Sequence, residues 1–162
     1  MRRPDIIQTK IFKLDDLVRR LLQWKFLGNT IAFTNGCFDI LHRGHIYSLS
    51  QAAAEADYLV VGLNSDASTR GLKGPGRPVN DEQSRALVLA SLLMVDAVVI
   101  FDDPTPINLI TALKPDVLVK GGDYTIDQIV GAKEVMEHGG RVVINPIVEG
   151  FSTTGIISRL SQ

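Results

Sequence analysis

The stretch from residue 31 to residue 63 constrains the fold most, because two short apolar runs there flank a glycine-bearing loop and an amphipathic run. Ile31, Ala32, Phe33 and Thr34 form the first run, and Asn35-Gly36-Cys37-Phe38-Asp39 follows as expected where a strand enters a turn. A helix is predicted over residues 44–56, with Ile46, Leu49, Ala52, Ala53 and Ala56 on its inner side. Tyr58 to Leu63 then reads as a second buried strand. Two buried strands joined through a helix make a βαβ unit, which calls for a parallel sheet covered on both faces.

The same alternation runs along the rest of the chain. Leu14, Leu17, Val18, Leu21 and Leu22 follow helical spacing, and Gly28-Asn29 ends that segment. Residues 64–80 contain Gly71, Gly74, Pro75, Gly76 and Pro78, too many breakers for a regular element, and are expected to form a mobile loop. Asn80 with Gln83 is a capping pair for the next helix, whose predicted stripe is Ala86, Leu87, Ala90, Leu93 and Met94. Strands are predicted over residues 97–101, 116–120 and 141–144. Between them, Asp103-Pro104 opens one helix, stopped by Lys114-Pro115, and Thr125 with Gln128 opens another that Gly131 divides. Ile156, Ile157 and Leu160 give a terminal helix one apolar face. The expected fold is α/β: a Rossmann-like three-layer arrangement with a central five-stranded parallel sheet and helices on both faces. In such sheets the ligand crevice lies beyond the carboxyl ends of the strands, at the switch point.

His42-Arg43-Gly44-His45 stands where the first strand of that unit hands over to its helix. Backbone N–H groups and the positive end of the macrodipole favour an anion at such a helix start. Two imidazoles add donors, and Gly44 lets a phosphate approach the main chain. A surface pair or half a metal site are the plain alternatives, but no Cys or acidic cluster nearby completes a ligand set. No protein metal ligand is therefore assigned.

With 162 residues the chain is expected to form a single domain over 1–162, large enough for its own core. A formal net charge of −1 and basic residues without a contiguous block give no reason to expect a nucleic-acid partner. Cys37 is alone, so no internal disulfide forms, and no apolar run resembles a signal peptide or spans a bilayer. A cytoplasmic protein without membrane association is the expectation.

The segment Thr34-Asn35-Gly36-Cys37-Phe38-Asp39-Ile40-Leu41-His42-Arg43-Gly44-His45 resembles the first signature of the cytidylyltransferase-like nucleotidyltransferases, Gly-x-Phe-Asp-x-x-His-x-Gly-His. Within that superfamily the chain is most similar to the adenylyltransferase domain of ADP-heptose synthesis. The similar segments are Leu63-Asn64-Ser65-Asp66-Ala67-Ser68 with Lys73 and Arg77-Pro78-Val79-Asn80, Val119-Lys120-Gly121-Gly122-Asp123-Tyr124, and Ser152-Thr153-Thr154-Gly155-Ile156-Ile157. They occur in family order across residues 14–161.

The resemblance implies transfer of AMP from ATP to D-glycero-β-D-manno-heptose 1-phosphate, with release of pyrophosphate. His42, His45 and Lys73 would then be the catalytic groups at the phosphates. Thr34, Asn35, Gly36, Phe38, Asp39, Gly44, Lys120, Gly121, Asp123, Ser152, Thr153 and Thr154 would bind nucleotide, and Arg77 and Arg85 are candidates for substrate phosphate. Mg²⁺ would be held through the ATP phosphates. A separate heptose kinase in the pathway and a homodimer are the implied partners.

Each assignment has a plainer counterpart. Lys73, Arg77 and Arg85 could be solvated surface cations, Gly121-Gly122-Asp123 a simple turn, and Asn35 and Asp39 local Asx turns. Asp123 could meet ribose or sugar, and Cys37 reads as a small packed residue beside the site. Some related cytidylyltransferases carry an arginine shortly before the Ser-Thr motif, whereas here the approach is Asn145-Pro146-Ile147-Val148-Glu149-Gly150, so no arginine role carries over. Two other functions share these residues: CTP-dependent transfer to glycerol 3-phosphate or a related alcohol phosphate, and a non-catalytic nucleotide-binding regulatory module.

Overall fold

A computed structural model describes residues 4–146 and 153–160. Six parallel strands form one sheet: β1 (Ile11–Phe12), β2 (Ile31–Gly36), β3 (Tyr58–Asn64), β4 (Ala97–Phe101), β5 (Val117–Gly121) and β6 (Arg141–Asn145), in the order β1-β4-β3-β2-β5-β6. The helices are α1 (Leu14–Phe26), α2 (Arg43–Ala53), α3 (Asp66–Lys73), α4 (Glu82–Ala90), α5 (Ile107–Leu113), α6 (Ala132–Glu137) and α7 (Thr153–Leu160).

Strand alternation divides the core in two. Ile31 and Phe33 of β2 and Val60 of β3 face Leu17 and Leu21 of α1, Leu109, Ile110 and Leu113 of α5, and Val135 of α6. Ala32, Leu59 and Val61 point the other way, onto Leu49 and Ala52 of α2 and Ala86, Leu89 and Ala90 of α4. The chain first steps from β2 through β3 to β4, then returns to place β5 on the other side of β2. With right-handed crossovers, reversing the direction of travel moves the connecting helices to the opposite face, so α2 and α4 cover one side and α5 and α6 the other. Burying one large apolar side chain such as Phe33 contributes about 1.5–3 kcal/mol. Its ring lies against Gly62, where an added Cβ would stand 2.8 Å from Phe33 Cζ.

Four expectations need correction. The sheet has six strands rather than five, because β1 adds an edge pairing of Ile11 with Val98 and Phe12 with Val99. Two residues are too few to show a period. Residues 66–73, expected as loop, form α3, because the Ser65 hydroxyl accepts from Ser68 N at 3.1 Å and the breakers concentrate after Lys73. Gly74 and Gly76 adopt φ of 91° and 79°, and the Arg77–Pro78 bond is cis.

Asp81, not Asn80, caps α4 by accepting from Ser84 N at 2.9 Å, while the Asn80 side chain donates to Asp39 O. This shifts the buried stripe to Arg85, Ala86, Leu89 and Ala90 and leaves Leu87 and Leu93 exposed. Finally, α5 begins at Ile107 after Pro106 rather than at Asp103-Pro104. The Thr125–Gln128 pair does form, with Thr125 N donating to Gln128 Oε1 at 2.9 Å, and Gly131 at φ 87° separates that single turn from α6.

Candidate active site

The switch point lies between β2 and β5, and the loops leaving β2, β3 and β5 enclose a cleft of about 650 Å³ there. Its walls include Asn35, Gly36, Phe38, Asp39, His42, His45, Lys73, Arg77, Lys120, Gly121 and Thr153. A smaller chamber of about 270 Å³ adjoins it, sharing Asn35, Asn64, Leu72, Lys120 and Tyr124.

The loop between β2 and α2 is built around Asp39, which is 4% exposed. Its carboxylate accepts from Arg77 Nε at 2.7 Å, Val79 N at 2.8 Å and Asn80 N at 3.0 Å, and its carbonyl accepts from Asn80 Nδ2 at 2.9 Å. Burial alone would raise the carboxyl pKa; the Asn80 and Val79 N–H groups and the Arg77 guanidinium outweigh it and hold the group below the ordinary range. Asp39 is thus a buried anion whose main partners are in the protein. Phe38, next to it, takes the left-handed φ of 44°. Its ring packs where a Cβ on Gly36 would come within 3.0 Å, and lies 5.3 Å from the His45 ring at 59°. A side chain at residue 36 would push this wall off His45.

His42 occupies the N-cap of α2 without a side-chain cap bond, and its carbonyl accepts from His45 N at 2.9 Å. The two imidazoles stack with centroids 3.8 Å apart and planes 23° from parallel. Burial lowers the His45 pKa, the neighbouring His42 lowers it further, and the Ile40 backbone acts weakly in the opposite direction; the result is about 4. Burial also lowers His42. Both rings are therefore neutral at pH 7, and the Nδ1 of each is buried with no hydrogen-bond partner among the described residues.

Across the cleft, Lys120 Nζ donates to Asn35 Oδ1 at 3.3 Å, and burial lowers its pKa against the opposing influence of Cys37. Lys73 closes α3 and is exposed at the rim. Thr153, in the first turn of α7, donates from Oγ1 to Ile40 O at 3.3 Å and so ties that helix to the histidine loop. Gly122 at φ 137° carries the turn beyond β5, where a Cβ would come within 2.5 Å of the Tyr124 ring.

Not every expected residue reaches the cleft. Thr34 is inside the sheet and 7% exposed, and Gly44 and Asp123 stand outside the lining. Arg85, expected as a phosphate ligand, is 2% exposed and engages protein acceptors: Asn80 O at 2.9 Å, Cys37 O at 2.6 Å, Asn64 O at 2.8 Å and Asp66 Oδ1 at 2.7 Å. Ser152 lies outside the described residues, as does the side chain of Thr154. Conversely, Cys37, Asn64, Leu72 and Tyr124 line the cleft without having been singled out as ligands. Asn64 was accessible to reasoning, since it ends β3 at the carboxyl edge; Leu72 was hidden in a segment expected to be loop.

Neutral stacked imidazoles at a helix start, two lysines on facing walls and a carboxylate already neutralised make a receptor for a polyanion. The family model described as Cytidylyltransferase-like matches residues 33–159. The Bifunctional protein HldE of Mesorhizobium japonicum is 55% identical over 97% of this chain and 32% of its own length. That of Hyphomonas neptunium is 56% identical over 92% of this chain and 31% of its own. The chain thus spans about a third of these curated relatives. Among solved structures, the lipopolysaccharide core biosynthesis protein from Thermoplasma volcanium superimposes with a TM-score of 0.60 at 28% identity, covering 75% of this chain and 98% of its own.

Proposed function

The chain belongs to the cytidylyltransferase-like family, and on that premise we propose that it transfers AMP from ATP to D-glycero-β-D-manno-heptose 1-phosphate. An oxygen of the sugar phosphate attacks the α-phosphorus of ATP, forming the new P–O bond. The bond from the α-phosphorus to the α–β bridging oxygen breaks, and pyrophosphate leaves with its electron pair. The nucleophile is already an anion, so no base has to create it. What the protein must supply is alignment of two polyanions and donors for charge that spreads over the equatorial oxygens.

The observation that carries the reading is the stacked His42–His45 pair at the N-terminus of α2. In the proposal these imidazoles meet the α-phosphate, while Lys73 and Lys120 approach the phosphates from the facing walls. Arg77 contributes through its grip on Asp39, which fixes the histidine loop. Asn35, Gly36, Phe38, Gly121 and Thr153 supply the nucleotide-facing surface. Asp39, committed to Arg77 and two backbone N–H groups, has little capacity left for a cation, and no trio of His, Cys, Asp or Glu among the described residues could hold one. In this reading Mg²⁺ would be carried on the triphosphate and would neutralise phosphate charge there.

The name of the curated relatives, a bifunctional protein, supports a second activity in the same route, which we assign to the heptose kinase that makes the acceptor. A homodimer and a cytoplasmic site of action remain part of the proposal; no described helix is long and apolar enough to cross a membrane.

Incubation with MgATP or MgCTP and a panel of heptose 1-phosphates, other sugar 1-phosphates and glycerol 3-phosphate, reading pyrophosphate release, tests base, acceptor and activity together. Turnover with ATP and the heptose supports the assignment. Turnover with CTP and an alcohol phosphate replaces it with the cytidylyl reaction, and tight nucleotide binding with no turnover points to a regulatory module.

A further inference from the structure

Arg85 is the largest fully buried side chain of the protein's described residues, and no apolar packing role requires a guanidinium there. Its contacts reach four segments around the site. Nη1 donates to Cys37 O in the histidine loop and to Asn64 O at the end of β3; Nη2 donates to Asp66 Oδ1 in the first turn of α3; Nε donates to Asn80 O, beside the Asp39 anchor. Glu82, one turn earlier on α4, accepts from Asp66 N at 2.8 Å. The first turn of α4 therefore grips the start of α3 at two points, and α3 ends in Lys73. Only a planar fork with several fixed donors can span these acceptors; an ammonium group cannot.

We propose that Arg85 is a positioning residue: through its bonds to Cys37 O and Asp66 it sets the spacing between the histidine wall and the Lys73 wall of the phosphate cleft. It does not touch substrate. The inference rests on the cleft being the phosphate site of the function proposed above. A rigid spacing matters because a donor displaced by about 1 Å can cost about 10²-fold in rate.

The test is binding of tripolyphosphate, measured by calorimetry, to the wild-type chain, Asp66→Ala, Lys73→Ala and the double variant. Removing a carboxylate near a polyanion site would, through long-range electrostatics alone, tighten binding. A positioning role predicts the reverse sign: Asp66→Ala weakens binding about 3- to 10-fold, and this loss vanishes when Lys73 is already alanine, because directly coupled residues are non-additive. Asp66→Asn, which keeps an acceptor for Arg85, recovers most of the affinity and serves as the measurement if Asp66→Ala fails to fold. Arg85→Lys, with its charge retained, is expected to behave as Asp66→Ala does. Unchanged or tightened binding in Asp66→Ala, losses that simply add with Lys73→Ala, or no tripolyphosphate binding by the wild type would overturn the proposal. Because the probe has neither base nor acceptor, failure of the nucleotidyl-transfer assay leaves this readout intact.

Discussion

His45 should make the folded protein sensitive to mild acid in a way that a single substitution removes. In the folded chain its pKa falls from 6.5 to about 4, first through burial and then through His42. The unfolded chain therefore binds more protons between these values, and stability rises with pH across that window: the contribution is complete above 6.5 and is lost as pH falls toward 4. At pH 5 the unfolded imidazole is almost fully charged while the folded one is still mostly neutral, which corresponds to a loss of about 2 kcal/mol relative to pH 7.5. The ring is only partly buried, so screening by solvent brings the expected loss to about 1–2 kcal/mol. Urea unfolding at both pH values measures it, compared with His45→Gln, which cannot titrate. The wild type should lose about 1–2 kcal/mol more than the variant on moving to pH 5. Equal losses would show that the imidazole is not held neutral by its surroundings, and the electrostatic description of the cleft would be wrong.

Three further outcomes are expected. His42→Ala and His45→Ala should each retain the melting temperature to within a few degrees and reduce turnover about 10²- to 10³-fold in the pyrophosphate assay; near-wild-type activity in either would remove that residue from the reaction. Asp39→Asn places an amide where three donors converge, and should destabilise the protein by about 2–3 kcal/mol in urea unfolding while also lowering activity, because the same carboxylate holds Arg77 and residues 79 and 80. Gly62→Ala brings a Cβ within 2.8 Å of the Phe33 ring, so differential scanning calorimetry should show a lower melting temperature, by roughly 3–10 °C for an overpacking cost of about 1–3 kcal/mol.

The parts of this fold that sequence made legible share one property: their signals are local and repeated. Ile31 to Thr34 and Tyr58 to Leu63 are continuous apolar runs because their strands are covered on both faces, and the helix between them carries its own stripe. The histidine pair was legible for a similar reason, since its neighbours alone put it at a strand-to-helix junction. What stayed hidden depends on distant partners. β1 is a strand only because Val98 and Val99 pair with it, and α3 hides behind a glycine count that ignores where the glycines fall. Arg85 is the clearest case. A charged residue on an amphipathic helix reads as surface, and nothing nearby in sequence announces that four acceptors from Cys37, Asn64, Asp66 and Asn80 will converge on it.

Burial and ion pairing together shape the charge of the cleft. His42 and His45 are kept neutral and the Lys120 pKa is lowered, all chiefly by burial. Arg77 already has Asp39 as a counter-ion, and Arg85 has Asp66. A site crowded with unpaired cations would repel itself and weaken the fold. In the proposed reaction an arriving polyphosphate would favour the charged form of Lys120, which burial disfavours. Donors that are to meet a polyphosphate must already be in place, and in the proposed function that task falls to Asp39 and Arg85, buried ions that hold the loop and helix carrying those donors.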